Sequence, residues 1–213
     1  MLDNLSQCEP APAAATAVFG DRLELAQAYH DSLATTAAER GFIGPKEVSR
    51  LWSRHILNCG VISEAFREGA SVADIGSGAG LPGIPLAIAR PDLSVTLIEP
   101  LLKRSTYLSE VKAELSLDNV TVIRGRAEEQ KRLLFDVVTS RAVAPLGKLA
   151  VWSLPLVRPG GAMVAMKGAS VSEELERDAK VIAKAGGVDA EIFAVGADVL
   201  EQPTTLIRIT RVG

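Results

Sequence analysis

Between Phe19 and about Phe66, apolar residues return at three- and four-residue intervals: Leu23, Ala26 and Leu33, then Val48, Leu51, Trp52, Ile56 and Leu57. That spacing places them on one helical face and predicts two or three amphipathic helices. The run RGFIGPKEV interrupts it, with Gly44 and Pro45 marking a turn. Ahead of Phe19, MLDNLSQCEPAPAAATAV is rich in Ala and Pro, shows no periodic apolar face, and predicts a loose, mobile leader over residues 1–18. After Gly69 the period changes. Short β-rich runs at Ser71–Ile75, Val95–Glu99, Val120–Arg124, Phe135–Ser140 and Ala162–Lys167 are separated mostly by helical stretches. Such alternation requires crossovers, and so predicts an α/β fold: a mostly parallel sheet with helices on both faces. The tail, EIFAV followed by TTLIRITRV, has no helix between its two runs and predicts an antiparallel hairpin closing the sheet edge. The expected organisation is a leader at 1–18, a helical extension at 19–68 and an α/β domain at 69–213, without internal repeats.

A length of 213 residues suits one such domain with an extension and is short for two. The chain is 47% apolar but only 4% aromatic, so its core must rest on Ala, Leu, Ile and Val. No apolar run reaches the roughly 18 residues of a membrane span, and no basic segment opens the chain. A soluble, cytoplasmic protein without membrane contact is expected. Cys8 and Cys59 are too few for a disulfide framework, and with His30 and His55 they offer no metal-ligand spacing. The formal charge of −3 argues against nucleic-acid binding by the whole surface, leaving a local basic patch as the means of holding RNA.

The densest chemistry lies in VADIGSGAGLPGIPLAI, residues 72–88, at the junction of the first predicted strand and helix, where doubly wound sheets bind ligands. Two registers compete. Gly78, Gly80 and Gly83 satisfy G-x-G-x-x-G, and Glu99 follows at a dinucleotide-like distance. That register starts the helix near the second glycine and buries Pro85 inside it, at a cost of roughly 3 kcal/mol. A helix starting at Leu81 or Pro82 keeps both prolines in the first turn. The prolines therefore favour Asp74-x-Gly76-x-Gly78-x-Gly80, which suits a ligand without phosphate. S-adenosylmethionine is such a ligand: the bare backbone can approach its methionine and ribose, and Asp74 its amino-acid part. Glu99, ending the second strand, can accept both ribose hydroxyls.

The stretches ADIGSGAGLPGIPLAIARPDLSVTLIEPLLKRSTYL, RGRAEE, FDVVTSRAVAPL and LVRPGGAMVAMKG together resemble the RsmG (GidB) family, in order and spacing, from about Arg54 to Gly168. The resemblance implies a class I S-adenosylmethionine-dependent methyltransferase, with a Rossmann-like, mostly parallel seven-stranded sheet. It implies methylation of N7 of one guanine, position 527 in the usual numbering, in 16S rRNA of the small ribosomal subunit, with no DNA partner and a monomeric enzyme. It places Gly76 and Leu81 against the cofactor, with Gly78 and Gly80 shaping the loop, Glu99 at the ribose, and Ala127 and Glu128 at the adenine. Arg141 falls at the cofactor and the reaction site, the one catalytic candidate. Lys167, Arg126, Lys103 and Arg104 would face RNA, as would Arg54 and His55 from RLWSRHILNC. The chain has Asn58-Cys59 where the family more often has Asp-Ser, and TTAAERGFIG in place of an upstream Asn-Leu-Thr.

Guanine N7 has an in-plane lone pair and no proton to lose, so catalysis by proximity and alignment without a general base is expected. The chain has no Asn/Asp-Pro-Pro-aromatic run for an exocyclic amine and no Pro-Cys for covalent attack on a pyrimidine. From the residues alone, a methyltransferase of small molecules, a nucleotide-dependent oxidoreductase and a non-catalytic binding module remain open. Nicotinamide binding, or cofactor binding without turnover on RNA, would distinguish the last two.

Overall fold

The computed structural model describes residues 10–130 and 132–213. Its strands are β1 (Ser71–Ile75), β2 (Ser94–Glu99), β3 (Val120–Arg124), β4 (Phe135–Arg141), β5 (Val157–Met166), β6 (Gly187–Val195) and β7 (Thr204–Arg211). They form one sheet in the order β3-β2-β1-β4-β5-β7-β6, with β7 antiparallel to both neighbours. β1 and β4, at the centre, are covered on both faces, so nearly every position along them is buried, the polar Asp74, Asp136, Thr139 and Ser140 included. The predicted hairpin is present, but its second arm enters the sheet and the first arm forms the edge. The burial explains the order: β7 carries Leu206, Ile207 and Ile209 inward, whereas β6 is exposed along most of its length, with Asp189 and Glu191 on the edge.

The fifth strand starts five residues earlier than its sequence predicts, at Val157 rather than Ala162. Pro159-Gly160-Gly161 reads as a turn, yet it forms an irregular stretch of strand against the start of β4, where the register shifts between Phe135 and Val137. Gly161 permits the close approach: a Cβ there would lie 2.4 Å from the Asp136 carbonyl oxygen.

The helices are α1 (Ala13–Phe19), α2 (Leu23–Ser32), α3 (Leu57–Gly60), α4 (Gly83–Ala89), α5 (Leu102–Glu114), α6 (Leu146–Ser153) and α7 (Val171–Lys184). α1 corrects the expected loose leader over residues 13–18. It buries Ala15 and Phe19, and its Val18 and Phe19 press on Gly60 of α3, where a Cβ would meet them at 2.5 and 2.9 Å. Alanines give little contrast between faces, so no period was visible. Residues 1–9 of the predicted leader, with Cys8, lie outside the described residues.

The helical extension and the α/β part share a core. One apolar cluster runs from Ala15, Phe19, Tyr29 and Trp52 through Ile84 and Leu86 to Val72, Val95 and Leu97. Each such side chain contributes about 1.5–3 kcal/mol when fully buried, so this layer is integral to the fold. On the opposite face α6 and α7 pack Leu146, Leu149, Val171 and Ile182 against Ile75, Val138, Ala165 and Ile207. The first N–H groups of α6 are held by α7: Glu174 accepts from Leu146 at 2.7 Å and Asp178 from Gly147 at 2.8 Å. No described helix is long and apolar enough to cross a membrane.

Candidate active site

Strand order reverses between β1 and β4, so the loops leaving their carboxyl ends diverge and open a crevice. The glycine loop fills one side of it. Gly76 turns the chain at φ +67°, donating to the Ile98 carbonyl at 2.8 Å, and a Cβ there would meet Val143 at 3.0 Å. α4 starts at Gly83 with Pro82 as its N-cap, which leaves Pro85 third in the helix, within the first turn. The helix thus starts one or two residues after the expected Leu81 or Pro82, past the second glycine of the dinucleotide pattern, with Pro82 outside it as the cap.

Two acids hold this loop. Asp74 is fully buried; one carboxylate oxygen accepts the Gly83 N–H at 3.0 Å and the other has no hydrogen-bond partner among the described residues. Burial pushes its carboxyl up to about 7, against the opposing pull of the Gly83 N–H. Asp74 thus lies beneath the loop and ties β1 to α4. Glu99 is 2% exposed at the end of β2, accepting from Gly78 N–H at 2.9 Å and Leu101 N–H at 3.0 Å. A third anchor comes from the helical extension: the buried Tyr29 hydroxyl of α2 donates to the Ala79 carbonyl at 2.8 Å. Tyr29→Phe is expected to strand that carbonyl, costing about 1–3 kcal/mol of loop order. Weaker S-adenosylmethionine binding in calorimetry, together with an unfolding midpoint lowered by roughly 2–12 °C, would confirm it; unchanged affinity would refute it.

Several cavities border Arg141–Val143, at the carboxyl end of β4, and three of them bear on the site. A cleft of about 620 Å³ runs along Gly76–Ala79 and Leu81 to Glu99, Leu101 and Arg104. A slot of about 190 Å³ joins it at Gly76, Pro100 and Val143, walled by Ile75, Ile98, Ala127 and Trp152, with Arg126 and Glu128 also lining it. A third cavity of about 400 Å³ shares Arg141, Ala142 and Val143 with the cleft and continues past Met166, Lys167, Asn58 and Arg54. Ala142, at the junction, has φ +54°, a left-handed conformation that costs a non-glycine residue about 1–2 kcal/mol. The Arg141 guanidinium donates to His55 Nδ1 at 2.7 Å, and His55 Nε2 lies 2.7 Å from a Glu47 carboxylate oxygen.

The expected RNA-facing residues divide. Lys103 is exposed, and the Arg54 side chain is 57% exposed, 3.6 Å from Glu47. Arg126 is exposed and 3.8 Å from Glu128. Lys167 lines the third cavity, paired with Glu174 at 2.7 Å. Arg104 lies over the Phe42 ring at the cofactor cleft. His55 is buried, with both ring nitrogens engaged. Sequence reading missed Tyr29, Glu47, Val143 and Trp152, whose places follow from tertiary packing and carry no local signal. Among the described residues no group of acids, histidines and cysteines is arranged to hold a metal.

The site fits S-adenosylmethionine. The apolar slot would take a flat purine, Glu99 would hold a ribose diol, and the exposed loop backbone would take the amino-acid end. Asp74, fully buried and lining none of these cavities, supports the loop from beneath. The sheet order and this crevice define a class I S-adenosylmethionine-dependent methyltransferase. Two solved structures share the fold: the S-adenosylmethionine-dependent methyltransferase SibL in its apo form, with TM-score 0.61 and 18% identity over 92% of this chain and 74% of that one, and M. jannaschii TYW2 in complex with AdoMet, with TM-score 0.59 and 21% identity over 76% and 78%. Residues 22–202 match the GidB family, rRNA small subunit methyltransferase G, and the chain belongs to that family. Ribosomal RNA small subunit methyltransferase G of Corynebacterium glutamicum (strain R) is 72% identical over 204 residues, covering 94% of this chain and 92% of that protein.

Proposed function

We propose that this chain methylates N7 of one guanine in 16S rRNA of the small ribosomal subunit, by holding the base in line rather than by moving a proton. S-adenosylmethionine supplies the electrophilic methyl group when bound. The observation that carries the reading is the third cavity: it shares Arg141, Ala142 and Val143 with the first cleft, is lined by Arg54, Arg141 and Lys167, and has no unpaired base among the described residues. Its carboxylate, Glu174, is engaged by Lys167 and by the Leu146 N–H. Burial works to raise that carboxyl, and these partners hold it below its ordinary range. His55 has no free ring nitrogen. A nucleophile that must lose a proton would find no acceptor here; N7 has none to lose. The names of the relatives support the RNA class.

An arginine beside N7 can hold only guanine O6 or a neighbouring phosphate, since N7 itself must stay open. The base must also leave its stack to reach the cavity. Transfer of labelled methyl to small subunits from cells lacking this protein, followed by nucleoside identification, tests the reading. It expects 7-methylguanosine at one position. Label only in a small molecule, or in another nucleoside, would overturn it. Because the basic residues are few, RNA affinity should fall with salt at a log–log slope of about −2 to −4, as for roughly three to five phosphate contacts. A flat salt titration would remove the basic rim from the interface.

A further inference from the structure

Arg141 stands where the cofactor cleft and the third cavity meet, and what aims it comes from the helical extension. His55 lies in a widened π-type turn, Leu51–Ile56, that leads into α3, a geometry often found at functional sites. Its side chain is 10% exposed. A guanidinium has only donors, so the 2.7 Å contact from Arg141 requires an unprotonated Nδ1. The ring proton must then sit on Nε2, where it is donated to Glu47 at 2.7 Å. The two contacts fix one tautomer of a neutral imidazole. Glu47 is itself anchored by Arg50 at 3.0 Å and Arg54 at 3.6 Å.

We propose that His55 and Glu47 are positioning residues for methyl transfer: the neutral imidazole accepts from Arg141 and aims its guanidinium at the junction of the two cavities, and protonating that imidazole releases it. This rests on the methyl-transfer reading above. A proton on Nδ1 would set N–H against N–H and cation against cation, so the chain of contacts exists only with His55 neutral. The charged groups that act on the ring are Glu47 from the short helical segment Pro45–Arg50 before it, Arg54 on its own turn, and Arg141 at the end of β4. Burial and then Arg141 push the imidazole below its ordinary range, and Glu47 works the other way. The device therefore stays closed near neutral pH and opens in acid. Since a misplaced group about 1 Å from its productive position can cost on the order of 10²-fold in rate, loss of this aim should appear in turnover rather than in binding.

Two measurements on the full chain test it. The protein has two histidines, so imidazole 15N spectra resolve His55 once His55→Ala identifies its signal by loss. The spectra should show an Nε2–H tautomer; Glu47→Gln should lower its titration midpoint by roughly 1 unit, and Arg141→Ala should raise it. Methyl transfer to undermethylated small subunits, followed at saturating cofactor across about pH 5 to 8 where histidine titrates, should show an acid limb in the wild type. That limb should move down by a similar amount in Glu47→Gln and be absent from His55→Ala, whose turnover should fall about tenfold or more with a KM for RNA changed about threefold or less. An Nδ1–H tautomer, or an acid limb in the same place in wild type and Glu47→Gln, would overturn the proposal. If His55→Ala proves unfolded, Glu47→Gln decides alone, since Glu47 lies on the short helical segment Pro45–Arg50, half-buried and outside the apolar core. A wild type that methylates no RNA at any pH overturns the functional reading instead, and the spectra still decide whether the contacts exist.

Discussion

Gly83→Ala is expected to destabilise the fold by about 2–4 kcal/mol and to weaken cofactor binding with it. In an exposed helix the same change would gain about 1 kcal/mol from helix propensity. Here the sign reverses, because a Cβ on Gly83 would lie 2.2 Å from Leu97 Cδ2 and 2.8 Å from a carboxylate oxygen of Asp74. Leu97 is fully buried on β2 and cannot swing out. Overpacking of this kind costs about 1–3 kcal/mol. The shift that relieves it also pulls the Gly83 N–H away from Asp74, whose carboxylate has no other backbone donor on that oxygen, at a further cost of about 1–3 kcal/mol. The two costs do not add in full, because one shift relieves the first while incurring the second, and about 2–4 kcal/mol corresponds to a fall in Tm of roughly 4–16 °C for a chain of this size. Gly41→Ala separates space from conformation: that residue has φ +72° with nothing within 4 Å, so about 1–2 kcal/mol of backbone strain is all it should lose. Urea unfolding of both variants checks the pair. A Gly83→Ala protein as stable as wild type would mean that α4 does not seat against β1 and β2 as described.

The placement of that glycine shows which parts of the site were legible in the chain. Pro82 and Pro85 fixed the helix start because proline constrains the backbone locally, whatever lies around it. Asp74, Glu99 and the glycines between them could be placed from strand ends for the same reason. Local constraints say nothing about which strand sits beside which, so the insertion of β7 between β5 and β6 was not foreseeable from two runs of β-formers. They also misdescribe Pro159-Gly160-Gly161, where close approach to Asp136, rather than a turn, uses the glycines. The contacts of the helical extension were the least visible. Tyr29 reaches Ala79 across 50 positions of sequence, and His55 reaches Arg141 across 86. A family resemblance marked His55 as important but could not say that its nitrogens are already taken. The same resemblance placed it among the RNA contacts, and in the structure it is buried against Arg141 and Glu47.

Arg141→Ala is expected to lower turnover on RNA by about 10²-fold while changing affinity for S-adenosylmethionine less than about tenfold. The cofactor cleft has other walls, in Glu99, Gly78 and Leu81, whereas the junction with the third cavity has this one guanidinium. Truncation leaves His55 Nδ1 without its donor in a buried setting, which costs about 1–3 kcal/mol of stability. Arg141→Lys keeps the charge but not the planar fork, so it should recover only part of the rate. The residual rate of Arg141→Ala carries the sharper test. If Arg141 acts by alignment, the truncated enzyme is slow at every pH, and its rate is flat where histidine titrates, because His55 no longer holds anything that the reaction needs. If a proton moved in the rate-limiting step, the residual rate would climb steeply with pH as another group or hydroxide replaced the lost base. A flat profile therefore agrees with attack by a nucleophile that carries no proton. A steep limb would show that the third cavity does acid–base chemistry, and guanine N7 would be the wrong atom.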